Sequence, residues 1–189
     1  MKKTPFLLLL AAMMLTSCDQ GQNQNQNENP GGGDIVDTYG ENLALNKKTK
    51  DSSSYDESHN SAKLLDGDKT DTRWSPLDGE ETSWAWIDLG ESKKFNTIVL
   101  AEWLDTGWSC GYKGYRCNSF VIEYADSVDG VWNECYRGTS IGKKAEIKLA
   151  KDVTAKFVRL TLLGTNANKN GKALPASIYE IEVYNLLSK

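Results

Sequence analysis

From Asn42 onward the chain is a succession of short apolar runs broken by turn residues, and no run carries helical periodicity over a normal helix length. Ala85-Trp86-Ile87-Asp88-Leu89 alternates and stops at Gly90. Tyr179, Ile181 and Val183 alternate with Glu180 and Glu182. Period-two alternation places successive side chains on opposite faces of a strand. The pattern predicts strands over 85–89, 95–102, 118–125, 131–137, 145–149, 156–163 and 178–184. Ser127-Val128-Asp129-Gly130 reads as a hairpin turn. Many short strands with Gly and Asp turns imply an all-β sandwich or jelly roll. Trp84 and Trp86 share a face opposite Ala85, Ile87 and Leu89, and are expected to pack within the sandwich.

The N-terminus is a different kind of chain. Lys2 and Lys3 precede an apolar stretch from Phe6 to Leu15, the layout of a secretory signal. Leu15-Thr16-Ser17-Cys18 resembles the bacterial lipobox, which implies a signal peptide over 1–17 and acylation of Cys18. Residues 18–41 hold a Gln/Asn tract and Pro30-Gly31-Gly32-Gly33 and cannot build a core, so they read as a flexible tether. The domain is expected over 42–189, displayed from the cell envelope, with the outer membrane favoured. Net charge is −4 and would fall to about −6 without Lys2 and Lys3. An acidic chain lacks the basic face that nucleic acid or anionic lipid requires, so only the acyl anchor is expected to meet a membrane.

The stretch Lys63-Leu64-Leu65-Asp66-Gly67-Asp68-Lys69-Thr70-Asp71-Thr72-Arg73-Trp74 packs carboxylates, hydroxyls and a Gly into one loop. Hard cations such as calcium take six to eight oxygens, from carboxylates and backbone carbonyls alike. A polar turn entering a strand is the plainer alternative.

Five motifs in one order carry a family resemblance. They are Asn42-Leu43-Ala44-Leu45-Asn46, the Asp66–Trp74 loop, Trp84-Ala85-Trp86-Ile87-Asp88-Leu89-Gly90, Asp129-Gly130-Val131-Trp132, and Ser177-Ile178-Tyr179-Glu180-Ile181-Glu182-Val183-Tyr184. The series resembles the coagulation factor V/VIII type C, or discoidin, domain, whose bacterial members include family 32 carbohydrate-binding modules. Glu102, Gly114-Tyr115-Arg116 and Phe120 are similar to the variant appended to α-L-fucosidases, with Tyr115 where Gln is usual. The resemblance implies a discoidin-like jelly-roll sandwich with one structural calcium ion. Its ligands would be the Lys63 carbonyl, Asp66, Asp68, Thr72, the Tyr179 carbonyl and Glu180. One extra residue between Asp68 and Thr72 makes Asp71 the alternative to Thr72. The same variant's pattern suggests pairing of Arg116 with Glu102.

Leu104–Arg116 is the longest irregular stretch and is aromatic. Sugars present apolar C–H faces that rings can cover and hydroxyls that Arg, Asn and Asp can hold. Trp108, Tyr112 and Tyr115 are therefore candidate ligand residues, with Arg116 beside them; plugging the end of the sandwich is the alternative. Trp103 extends a strand and is expected to pack. Cys110 and Cys117 bracket the loop, and a bridge between them is favoured, with Cys135 bonded to either as the alternative. In the favoured arrangement Cys135 is a buried free thiol. His59 precedes the acidic loop and is a candidate ligand contact. Asp78-Gly79-Glu80-Glu81 and Asn166–Asn170 read as solvated turns.

Catalysis needs a nucleophile–base pair, a catalytic metal or two poised carboxylates. With a single His and acidic residues gathered at the expected calcium, no enzyme is expected. The expected function is glycan binding, for galactose- or fucose-type sugars by family analogy. A protein-interaction or adhesion module of an envelope complex is the alternative.

Overall fold

The computed structural model describes residues 39–104, 114–164, 166–167 and 170–186. Cys18, Trp108, Cys110 and Tyr112 lie outside the described residues. From Asp37 onward the chain forms one compact unit.

Among the described residues eight strands follow in order: β1 Lys48–Asp51, β2 Ser83–Glu102, β3 Ser119–Ala125, β4 Asn133–Gly138, β5 Ala145–Gly164, β6 Asn166–Ala167, β7 Ala173–Leu174 and β8 Ile178–Tyr184. The main sheet runs β1-β2-β5-β3-β4, with β8 also on β2, and every pairing is antiparallel. The predicted strands 85–89 and 95–102 are one strand, and so are 145–149 and 156–163. β2 and β5 each run for 20 residues and pair through both halves. Register shifts between Asp88 and Lys93 and between Phe95 and Thr97 let the pair bend without ending. Gly90, at φ 90°, supplies a conformation that side chains resist. The first half of β2 lies with β1, β3 and β4, and its second half pairs with β8. The bend thus builds two layers from one continuous sheet.

Aliphatic side chains from both layers share one core, including Ile87, Leu89, Ile122 and Leu160 from the first and Ile98, Leu100, Ile181 and Val183 from the second. Ala85, Ile87 and Leu89 are each about 1% exposed, while Trp84 and Trp86 are half-buried on the opposite face. That corrects their expected place within the sandwich. The aliphatic face takes the core, and Trp86 packs edge-on to Phe157 at 5.7 Å on the outer face. The hairpin turn falls where expected, with Gly130 N–H donating to Ser127 O at 3.1 Å. At the N-terminal edge Tyr39 stacks on Tyr184 at 4.8 Å, and its hydroxyl donates to Glu146.

The cysteines correct a second expectation. Cys117 carries a free thiol, 3% exposed, inside the core cluster. A sulfur turned into the core does not face the loop it was expected to staple, so the Cys110–Cys117 bridge is absent. Cys135 is also free and half-buried, and its Sγ donates to Ile122 O at 3.4 Å. Burial pushes both thiols up to about 12.

Candidate functional site

The acidic loop is gripped at both ends by packing. Leu64 and Leu65 are buried on its N-terminal side, and Trp74 is buried on the other. Trp74 also exchanges two backbone hydrogen bonds with Ile178, at 2.8 and 2.9 Å. The loop therefore lies against β8, and Gly67, at φ 82°, turns its N–H onto Glu180 Oε2 at 3.3 Å.

Glu180 is buried and incompletely satisfied. It is 1% exposed, and its Oε1 is buried with no hydrogen-bond partner. Burial pushes its carboxyl up to about 8; the Gly67 N–H opposes this, and the charges of Asp66 and Glu182 add to it. A buried unpaired carboxylate oxygen costs free energy unless something cationic or a proton meets it. Neighbouring Glu182 has its own partners, Lys69 at 2.8 Å and the Tyr184 hydroxyl at 3.0 Å. Asp66 Oδ2 accepts from the Thr72 hydroxyl at 2.7 Å, and Lys63 Nζ stands 3.7 Å from the same oxygen. Asp68 turns Oδ1 back to the Thr70 and Asp71 N–H groups, at 2.8 and 2.9 Å. Asp71 itself is exposed, so Thr72 is the residue that adjoins Asp66. Among the described residues no three His, Cys, Asp or Glu side chains converge as a metal-binding group. The oxygens gathered here are the carboxylates of Asp66 and Glu180 and the Thr72 hydroxyl. This all-oxygen set around an orphaned carboxylate oxygen fits a hard cation.

A second constellation sits where β2 ends and β8 begins. Trp103 N–H donates to Ser177 O at 2.9 Å, which fixes the indole beside the entry to β8. The Arg73 guanidinium lies over its ring at 4.3 Å, and the Tyr115 ring is 6.1 Å away. Tyr115 OH donates to Asp78 Oδ2 at 3.3 Å, and Lys172 Nζ is 3.9 Å from the same oxygen. Arg116 Nη1 donates to the Trp103 carbonyl at 3.2 Å. Arg116 does not form the expected ion pair with Glu102. That carboxylate, 3% exposed, accepts instead from Cys117 N–H at 2.6 Å and Gly142 N–H at 2.9 Å. Two backbone donors satisfy it and close the bases of two loops. Burial raises the Glu102 carboxyl, against the pull of those N–H groups and the Arg116 charge.

Of the predicted ligand residues, Tyr115 and Arg116 are brought together on Trp103. The His59 ring is elsewhere occupied, on Asp56 Oδ1 at 2.7 Å and edge-on to Tyr55 at 5.9 Å. Arg73, Asp78 and Lys172 join the constellation although composition marked none of them. Asp78 lies in a stretch whose sequence reads as a solvated turn, and Arg73 in one that reads as a cation loop. Their one sequence signal is polar residues flanking aromatic positions, which is weak without the fold.

An antiparallel sandwich that carries its irregular loops and half-buried rings at the end of the strands is the architecture of a binding module. The F5/8 type C domain model matches residues 48–178, and the chain belongs to that family. It is similar to the crystal structure of chitosan-binding module 1 from a chitosanase/glucanase of Paenibacillus sp. IK-5, with 28% identity and a TM-score of 0.61, covering 77% of this chain and 100% of that one. A Ruminococcus gnavus GH29 fucosidase in complex with fucose is similar at 25% identity and a TM-score of 0.64, over 78% of this chain and 27% of that one. A protein of Oryza sativa subsp. japonica named as an alpha-L-fucosidase is 32% identical over 96 residues, 50% of this chain. The match spans 16% of that protein's length.

Proposed function

We propose that this domain is a non-catalytic carbohydrate-binding module, held in the cell envelope by an acyl group on Cys18 and a tether over 18–41. The observation that carries the sugar reading is the Trp103–Tyr115 pair, two half-buried rings 6.1 Å apart with Asp78, Arg73 and Arg116 around them. Rings of this kind cover the C–H faces of a pyranose, and the polar groups meet its hydroxyls. Similarity to structures described as a chitosan-binding module and as a fucosidase bound to fucose supports the same reading. Galactose- or fucose-type glycans are the first sugars to try, and Trp108 and Tyr112 are proposed to extend the platform.

Calcium is proposed as a structural ion. Asp66, Asp68, Thr72, Glu180 and the Lys63 and Tyr179 carbonyls would hold it, with Asp71 the alternative to Thr72. Glu180 Oε1, buried and unpartnered, is the feature that asks for it. Held there, a cation would join an early loop to the last strand, where a cross-link removes the most loop entropy.

A protein-interaction module is the second reading, favoured by half-buried Trp84, Trp86 and Trp132 on or beside the outer sheet face. A glycan array probed with the full chain, and with Tyr115→Ala and Trp108→Ala, separates the two. Binding that falls in both variants supports the sugar site. A folded chain that binds no glycan overturns it in favour of a protein partner.

A further inference from the structure

The chain has four arginines, and the fold treats them in two ways. On the outer sheet face Arg159 grips Glu123 with two hydrogen bonds, at 2.8 and 2.7 Å. On β4 Arg137 does the same to Glu134, at 3.1 and 2.6 Å. Each guanidinium there meets a carboxylate fork to fork, the geometry that Arg satisfies best. The other two, Arg73 and Arg116, form no ion pair among the described residues. Both stand on Trp103, one over its ring and one on its carbonyl. Arg73 Nε is buried with no hydrogen-bond partner.

That division is informative in an acidic protein, with 26 Asp and Glu against 22 Lys and Arg. Carboxylates are plentiful, yet among the described residues none forms an ion pair with these two guanidinium groups. Two carboxylates of the same region are engaged elsewhere. Asp78 accepts from Tyr115 and faces Lys172, and Glu102 is taken by backbone N–H groups. Held over the indole, Arg73 has already lost much of its freedom, so little further ordering is needed on binding. A half-buried guanidinium that no carboxylate forks is satisfied best by an incoming anion.

We propose that the Trp103 end of the sandwich recognises an anionic glycan, one whose sugars bear a carboxylate or a sulfate ester. This rests on the glycan reading above and specifies its ligand class. Trp103 and Tyr115 would take the ring face, and Arg73 and Arg116 the anionic group. Neutral sugars would use only the rings and weaker hydroxyl contacts.

The test is titration of the full chain, in neutral detergent, with trigalacturonate, its methyl ester and a sulfated galactotriose. The acid or the sulfate should bind at least about tenfold tighter than the ester, because charge-assisted hydrogen bonds are roughly twice as strong as neutral ones. The difference should shrink as salt is raised. A preference for the acid alone identifies a uronate, and a preference for the sulfate alone identifies a sulfated sugar. Arg73→Gln and Arg116→Gln should each lower the anion preference while leaving some ester binding. Arg137→Gln, on the paired arginine of β4, should leave the preference intact. Because Arg73→Gln removes packing on Trp103 as well as charge, Arg73→Lys is the second variant; it should retain part of the preference. Equal binding of acid, sulfate and ester overturns the anionic proposal and leaves the glycan reading standing. No binding of any of the three overturns the anionic proposal, and the glycan reading falls with it when the glycan array is also blank.

Discussion

Replacing Glu180 by Gln should stabilise the protein without calcium and destabilise it with calcium. The carboxyl is raised from an ordinary 4.5 to about 8, chiefly by burial. A raised folded value means the group's contribution is complete below 4.5 and is lost as pH climbs towards about 8. At pH 7 the difference of roughly 2.5 pH units, at 1.36 kcal/mol each, amounts to about 3 kcal/mol against the metal-free fold. The Gln side chain has nearly the same shape and carries no charge, so the variant escapes most of that cost. It should also flatten the metal-free stability profile between about pH 5 and pH 8. For a domain of this size 1 kcal/mol shifts Tm by about 2–4 °C, so the gain in EDTA should be on the order of 10 °C at the upper end. Calcium reverses the sign. A cation on Oε1 turns the orphaned oxygen into a ligand, and its binding free energy adds to wild-type stability as RT ln(1 + [L]/Kd). An amide is a poorer ligand, so Glu180→Gln should show a smaller calcium-induced rise in Tm than wild type. Thermal melts of both proteins at about pH 5 and pH 8, in EDTA and in millimolar calcium, read all four corners. Equal destabilisation by Glu180→Gln in EDTA and in calcium would refute the reasoning, since it would make Glu180 an ordinary packed carboxylate. A wild-type melting curve that ignores calcium would remove the ion itself.

Three other perturbations test the fold. A Cβ at Gly138 would stand 2.4 and 2.5 Å from the ring of buried Phe120, so Gly138→Ala should cost about 1–3 kcal/mol by urea unfolding. Adding Phe120→Leu should make the Ala substitution cheaper than it is alone, and strict additivity would contradict the clash. The Cys117 and Cys135 thiols, both raised to about 12 by burial, should resist a thiol reagent in the native state and react on unfolding; fast native labelling of Cys117 would contradict its place in the core. Burial alone would raise the Glu123 carboxyl, but hydrogen bonds from Arg159 and Thr161, with the charges of Arg159 and Arg137, win and hold it below its ordinary value. A depressed folded value gives stability that is present above the ordinary pKa and lost as pH falls through the folded one. Glu123→Gln should therefore lower stability at neutral pH and shrink the acid-side loss, as measured by urea midpoints across that range.

The strands were readable from Ala85–Leu89 and Tyr179–Val183 because alternation is a local consequence of burying one face. What alternation leaves open is which residues a neighbouring strand supplies. Gly90 looked like an end because glycine commonly ends strands, yet pairing with Lys93–Phe95 beyond it carries β2 through the bend. Cys117 looked like half of a loop staple because spacing says nothing about direction; one residue of phase decides whether a sulfur faces the core or the loop. The two candidate sites show the same divide. Their common point is β8. The motif marked Glu180 as a candidate cation ligand, and the structure places it as a buried carboxylate with an unpartnered oxygen, whereas Arg73 was not readable as part of the Trp103 cluster. Trp74 pairs with Ile178 and Trp103 pairs with Ser177, so the chain on either side of the entry to β8 brings Arg73 onto an indole 30 positions away in sequence. No composition rule foretells that contact, since it exists only once β8 lies between the two. The same geometry places Arg73 immediately after Thr72, which bonds Asp66 in the loop proposed to hold calcium. A cation that orders Asp66–Thr72 against Glu180 would therefore order the guanidinium next to it, and the loop proposed to hold a cation is also the arm that carries Arg73 to Trp103.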